Sequence, residues 1–155
     1  MTNDDQDALE ERVMDEEEAL APLYDAVVTW GRDNPDQYAG AWLARCADGT
    51  LTVAVGVVTV DGVGRELCGP PSDRHLEVVS MRHSLRDLTD VADRISETEF
   101  GARTDDRIVV VGVLEEENVV EVLTASGDVK GLEARLRAEY GSPAIRVRRG
   151  APARR

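Results

Sequence analysis

The sequence is poor in aromatic residues, cysteine and lysine. Aromatic residues fill 4 % of its 155 positions, Lys130 is the one lysine, and Cys46 and Cys68 are the only cysteines. Two cysteines exclude a disulfide-built scaffold. With no Cys-x-x-Cys pair, Cys46, Cys68, His75 and His83 do not make a structural zinc set. No apolar run approaches the roughly 18 residues that cross a bilayer. The first residues lack the basic and apolar regions of a secretory signal. Basic residues are outnumbered, 18 against 31 acids, for a net charge of −13. That balance argues against a basic nucleic-acid surface. What is present is a 42 % apolar chain, long enough to bury a core of its own. It is expected in the cytoplasm, with no nucleic-acid, membrane or cofactor partner; both cysteines stay thiols in a reducing compartment and could pair if the fold brings them face to face, which the sequence does not decide. The near-exclusive use of arginine points to a high-GC bacterial genome.

The charge is uneven. Residues 1–37 hold 12 acids and two arginines, whereas residues 146–155 hold five arginines and no acid. The acidic head contains Asp15, Glu16, Glu17 and Glu18. The basic tail contains Arg146, Arg148 and Arg149. Each could dock a partner of opposite charge, or the two could pair with each other.

Hydrophobic spacing divides the chain. Leu9, Val13 and Leu20 fit one narrow helical stripe, so residues 1–21 read as an acidic arm or marginal helix. Pro22 breaks it or begins a short helix over 22–31, where Leu23, Val27 and Trp30 share a face. Trp30 is expected in the core. Tyr38 to Cys46 and Leu51 to Val57 form a hairpin around Asp48-Gly49, the second strand half-buried by its alternation. Residues 59–74 are a long loop. Leu76 to Met81 is a third strand. Ser84 caps a helix carrying Leu85, Leu88, Val91, Ala92 and Ile95. Residues 97–106 are a polar linker. Ile108 to Leu114 is apolar throughout, which suggests a central or doubly buried strand. Val119 to Thr124 pairs with it across a Glu-Glu-Glu-Asn turn. A helix with Val129, Leu132, Leu136 and Tyr140 follows, stopped by Gly141 and Pro143. Ile145 and Val147 begin a last strand, and residues 150–155 fray.

From the third strand the order is β-α-β-β-α-β. The expected class is α+β: a ferredoxin-like antiparallel sheet with two helices on one face, preceded by an N-terminal helix and a β-hairpin. The single domain spans 22–149.

Tyr38-Ala39-Gly40-Ala41-Trp42-Leu43, followed by Leu51-Thr52-Val53-Ala54-Val55, resembles the opening hairpin of the pro-domains of alpha-lytic-protease and streptogrisin-type serine proteases. Arg82-His83-Ser84 with Leu85 and Leu88 resembles their strand-to-helix junction. Asn118-Val119-Val120-Glu121-Val122 resembles a later hairpin strand. The resemblance covers roughly residues 30–149. It implies a module that binds a protease, helps it fold and inhibits it, with a C-terminal tail reaching towards the active site. It implies no catalytic residue on the pro-domain side. A stand-alone form, without a following protease domain, is expected.

The residues therefore point to a non-enzymatic protein-binding module. Its candidate contacts are a sheet edge or face, where strand addition would give affinity through backbone hydrogen bonds, the 59–74 loop, one of the two charged termini, and Tyr38 and Trp42, which share a strand face either exposed or buried beneath the N-terminal helix. A second copy could cover an exposed sheet. Two other readings stand beside it. One is a small enzyme with a site near Cys68, His75 and His83, its nucleophile and base drawn from Ser80, His83 and Asp87 or from Cys68 and His75, though the sequence supplies neither an orienting third group nor an oxyanion site. The other is an acidic mimic that inhibits a nucleic-acid-binding protein. Gly62-Val63-Gly64 lacks the rest of a dinucleotide fingerprint.

Overall fold

The computed structural model describes residues 3–59, 75–100 and 107–150. Nearly all of the 59–74 loop, most of the polar linker and residues 151–155 lie outside them. The described chain is α+β, with three helices and two mixed three-stranded sheets.

Helix α1 runs unbroken from Asn3 to Asp33, with Pro22 inside it. An interior proline forfeits one helical hydrogen bond and costs about 3 kcal/mol. Packing offsets that cost: Leu20 and Val27 are buried and Leu23 half-buried against the first hairpin. The boundary expected at residue 21 is therefore not a helix end. The C-terminus is closed by Asn34, whose backbone N–H and Nδ2 both donate to the Trp30 carbonyl, at 3.0 and 2.9 Å.

Strands β1 (Tyr38–Arg45) and β2 (Leu51–Val58) form the expected hairpin, and β3 (Leu76–Met81) joins the far side of β2 in parallel. Strand β2 is thus central, and its small residues Thr52, Ala54 and Gly56 are buried as well as Leu51, Val53 and Val55. The half-buried strand expected from its alternation is corrected accordingly.

Helix α2 (Leu85–Glu99) starts where the sequence says it should. Ser84 Oγ accepts the Asp87 N–H at 3.1 Å. Strands β4 (Ile108–Leu114) and β5 (Val119–Thr124) are antiparallel. After α3 (Val129–Tyr140), β6 (Ile145–Arg149) pairs with β5 in parallel. Asp128 caps α3 by accepting the Gly131 N–H at 3.0 Å, and Gly141 ends it in the left-handed region at φ 63°. Leu88, Ala92 and Ile95 of α2 meet Leu132 and Leu136 of α3 over Val120, Val122, Ile145 and Val147.

The ferredoxin-like single sheet is therefore corrected. The strands divide into β1-β2-β3 and β4-β5-β6, each a hairpin followed by a strand parallel to its second member. Strand β3 is satisfied by β2 rather than by the later hairpin. Helix α2 packs on β4, β5 and β1, so it bridges the two sheets.

Candidate functional site

Each sheet has two edges, and edges are where a further strand can add. Three of the four are charged or engaged. Strand β1 ends in Arg45, and its Ala41 N–H is taken by Glu115 Oε2 at 2.8 Å. Strand β3 carries Glu77, and β6 carries Arg146, Arg148 and Arg149. Strand β4, Ile-Val-Val-Val-Gly-Val-Leu, has no charge and no proline.

The central position expected for β4 is thus corrected to an edge. Ile108, Val111 and Val113 turn towards the α2/α3 core. Val109 and Val110 are 36 % and 47 % exposed. A bulge between Ile108 and Val110 blunts the start of the strand, but Val111 to Leu114 run in regular register. A Cβ built on Gly112 would meet nothing within 4 Å. Among the described residues, β4 has a strand partner on one side only.

The β4–β5 turn holds the two sheets together. Glu115 reaches β1, where Gly40 sits at φ 124° in a bulge. A Cβ there would lie 2.6 Å from the Glu115 Cβ, so only glycine admits the carboxylate. At the other end of the turn, Asn118 is buried with φ 55°. Its Oδ1 accepts the N–H groups of Arg82 and His83 at 3.1 and 2.9 Å, and its Nδ2 donates to the His83 carbonyl at 2.8 Å. Sequence reading misses both roles and takes the segment as an ordinary turn. An asparagine closing a tight turn is the signal that could have marked it.

The residues singled out in the sequence do not converge. The Gly40 bulge shifts the strand period. Tyr38 therefore shares the α1 face with Ala41, while Trp42 packs with Ala39, Ala54, Val79 and Met81 on the opposite face. The single face expected for Tyr38 and Trp42 is corrected, as is burial of Trp42 beneath α1. The Tyr38 ring lies over Gly31 and meets Trp30 edge-on at 6.4 Å. Burial, with Glu115 and Tyr24 nearby, pushes its phenol up to about 12. Trp30, expected in the core, is instead 38 % exposed, with its ring covered in part by the edge-on contact with Tyr38.

Asp15, Glu16, Glu17 and Glu18 are exposed on the first half of α1. Glu16 pairs with Arg45 at 3.2 Å beside an open groove of about 680 Å³ between α1 and the β1–β2 turn. Arg146 pairs with Glu117 and, at 3.4 Å, with Glu121, and Arg148 pairs with Glu121 at 3.2 Å. The Arg146 guanidinium holds the Glu117 carboxyl below its ordinary range. These two arginines are matched by acids of β5 and its turn, not by the acidic head. Arg149 is exposed.

His75 precedes β3, where its carbonyl accepts the Val53 N–H at 2.8 Å, and His83 follows the strand. At about 3.3 Å per residue they stand roughly 20 Å apart, so no one site contains both. Cys68 lies outside the described residues. Cys46 is disulfide-bonded, a state the sequence leaves open. Among the described residues no His/Cys/Asp/Glu group could hold a metal ion, and no helix is long and apolar enough to cross a membrane. No protein-family model matches the chain, and no curated protein matches it in sequence.

Proposed function

We propose that the chain is a non-enzymatic protein-binding module that receives an extended strand along β4. The observation that carries this reading is an uncharged edge strand with Val109 and Val110 exposed, on a chain whose net charge is −13. Backbone hydrogen bonds would supply affinity and alternate valines the side-chain fit. The reading keeps the pro-domain resemblance as a proposal. The segments that carry it form β1, β2, the β3–α2 junction and β5. The disulfide at Cys46 favours an oxidising compartment over the cytoplasm, because glutathione and thioredoxin keep cytosolic thiols reduced.

The test is affinity capture from source-cell extract with the wild-type chain and with Val110→Lys. A protein retained by the first and lost with the second is expected. Identical retained sets would overturn the reading.

A further inference from the structure

The two halves of the chain repeat one plan: a helix, a hairpin beneath it, then a strand parallel to the hairpin's second member. Helix α1 lies on β1 and β2 as α2 lies on β4 and β5. The registers match. Val53 faces Leu76 and Val55 faces Val78 in the first sheet, where Val120 faces Ile145 and Val122 faces Val147 in the second. Helix α3 breaks the likeness. It packs on β6, and Ile145 and Val147 are 0 % and 4 % exposed. Their counterparts share the α1 face of the first sheet. Leu76 is half-buried against the α1 core, and Val78 is 44 % exposed. We propose that β3 docks an amphipathic helix of another protein, in the place that α3 takes on β6.

The outer edge of β6 defines the helix. Arg137 Nε donates to the Ile145 carbonyl at 2.8 Å, and Glu133 Oε2 accepts the Val147 N–H at 2.9 Å. These two backbone groups point away from β5, whose ladder starts one residue earlier, with the Val120 N–H donating to the Ala144 carbonyl. On β3 the ladder starts at His75, whose carbonyl accepts the Val53 N–H. The Leu76 carbonyl and the Val78 N–H therefore point outward in the same way. The helix that fits carries two leucines four residues apart for the apolar floor, as Leu132 and Leu136 do. Each is followed by the side chain that meets the edge, glutamate and then arginine, as in Glu133 and Arg137. Charge narrows the choice further. The docked helix would lie beside α1, which has 11 acids against Arg12 and Arg32, so a net positive helix is favoured. Helix α3 has that sign, with Lys130, Arg135 and Arg137 against Glu133 and Glu139. The connection from β2 to β3 does not repeat α3 in sequence. It holds Gly62, Gly64, Gly69, Pro70 and Pro71, a composition that disfavours three helical turns.

A peptide of residues 129–141, acetylated and amidated and added to the full chain, tests this. Fluorescence anisotropy should show saturable binding, and amide exchange should show new protection at Val78. Val78→Lys seats an ammonium on the apolar floor and should raise the dissociation constant at least roughly tenfold. Its unfolding midpoint should stay at the wild-type value, since the position is exposed. A peptide with Leu132→Ser and Leu136→Ser should not bind. No binding at about 1 mM peptide overturns the proposal. Binding that Val78→Lys leaves unchanged also overturns it, because the peptide then sits elsewhere. Binding that survives loss of both leucines does so too, because an extended strand on the β3 edge would behave that way. None of these outcomes touches β4, which the capture comparison decides separately.

Discussion

Asn118 and His83 hold each other by both backbone groups of the histidine: Asn118 Nδ2 donates to the His83 carbonyl at 2.8 Å, and Asn118 Oδ1 accepts the His83 N–H at 2.9 Å. One side chain on the second sheet thereby fixes the junction between β3 and α2 on the first. Asn118→Ala strips those backbone groups of their partner in a half-buried place. It should cost about 2–4 kcal/mol in urea unfolding. Asn118→Gly keeps the positive φ yet should lose nearly as much, because the bonds carry the effect.

Glu99 is 5 % exposed and makes a two-pronged pair with Arg135, both N–O distances 3.1 Å, tying the end of α2 to α3. Glu99→Leu should leave Arg135 paired with Glu139 on its own helix. Arg135→Leu instead leaves a buried carboxylate without that partner. The second change should be the more destabilising, by about 1–3 kcal/mol relative to the first. Thermal unfolding of the two variants decides the order.

Tyr38 gives the fold an alkaline limit. Its folded phenol lies at about 12, above the ordinary value of 10.0. Between these values the unfolded chain releases the proton while the folded chain retains it. Stability is therefore full below pH 10 and falls as pH rises towards 12. Solvent screening at a half-buried ring reduces the loss to about 1 kcal/mol. Tyr38→Phe should flatten that part of the profile, read from urea unfolding at pH 8 and at pH 11.5.

Reduction should destabilise the chain. Cys46 begins the β1–β2 turn, where its N–H donates to the Thr50 carbonyl at 2.9 Å, and it is disulfide-bonded. Loss of that bond should lower stability by about 2–4 kcal/mol. Thiol titration of the native protein should find no reactive Cys46, and the unfolding midpoint should fall in reductant.

Local chemistry was legible in the sequence. Ser84 and Gly141 mark their helix ends by mechanisms that need only neighbouring residues. The hairpin at Asp48-Gly49 and the strand limits of β3, β4 and β5 follow from spacing. What was not legible is which strands are neighbours. Alternation on β2 describes one buried face, yet β1 and β3 flank it and both of its faces are buried. The continuous apolar run of β4 signals burial, yet no strand lies on its far side among the described residues. Helix α1 passes Pro22 because its packing on the hairpin, absent from any local rule, outweighs the lost hydrogen bond. Tyr38 and Trp42 part company because a bulge at Gly40 changes the period. The turn from Glu115 to Asn118 gives no local sign of the partners it meets on β1 and at the start of α2.

Hydrogen exchange of the β4 backbone amides, with and without the protein retained by capture, tests the central claim most directly. A strand that receives another should show protection of Val109 to Leu114 that grows as that protein is added to the wild type and stays flat in Val110→Lys. Protection that the added protein leaves unchanged in the wild type would contradict β4 as the docking edge.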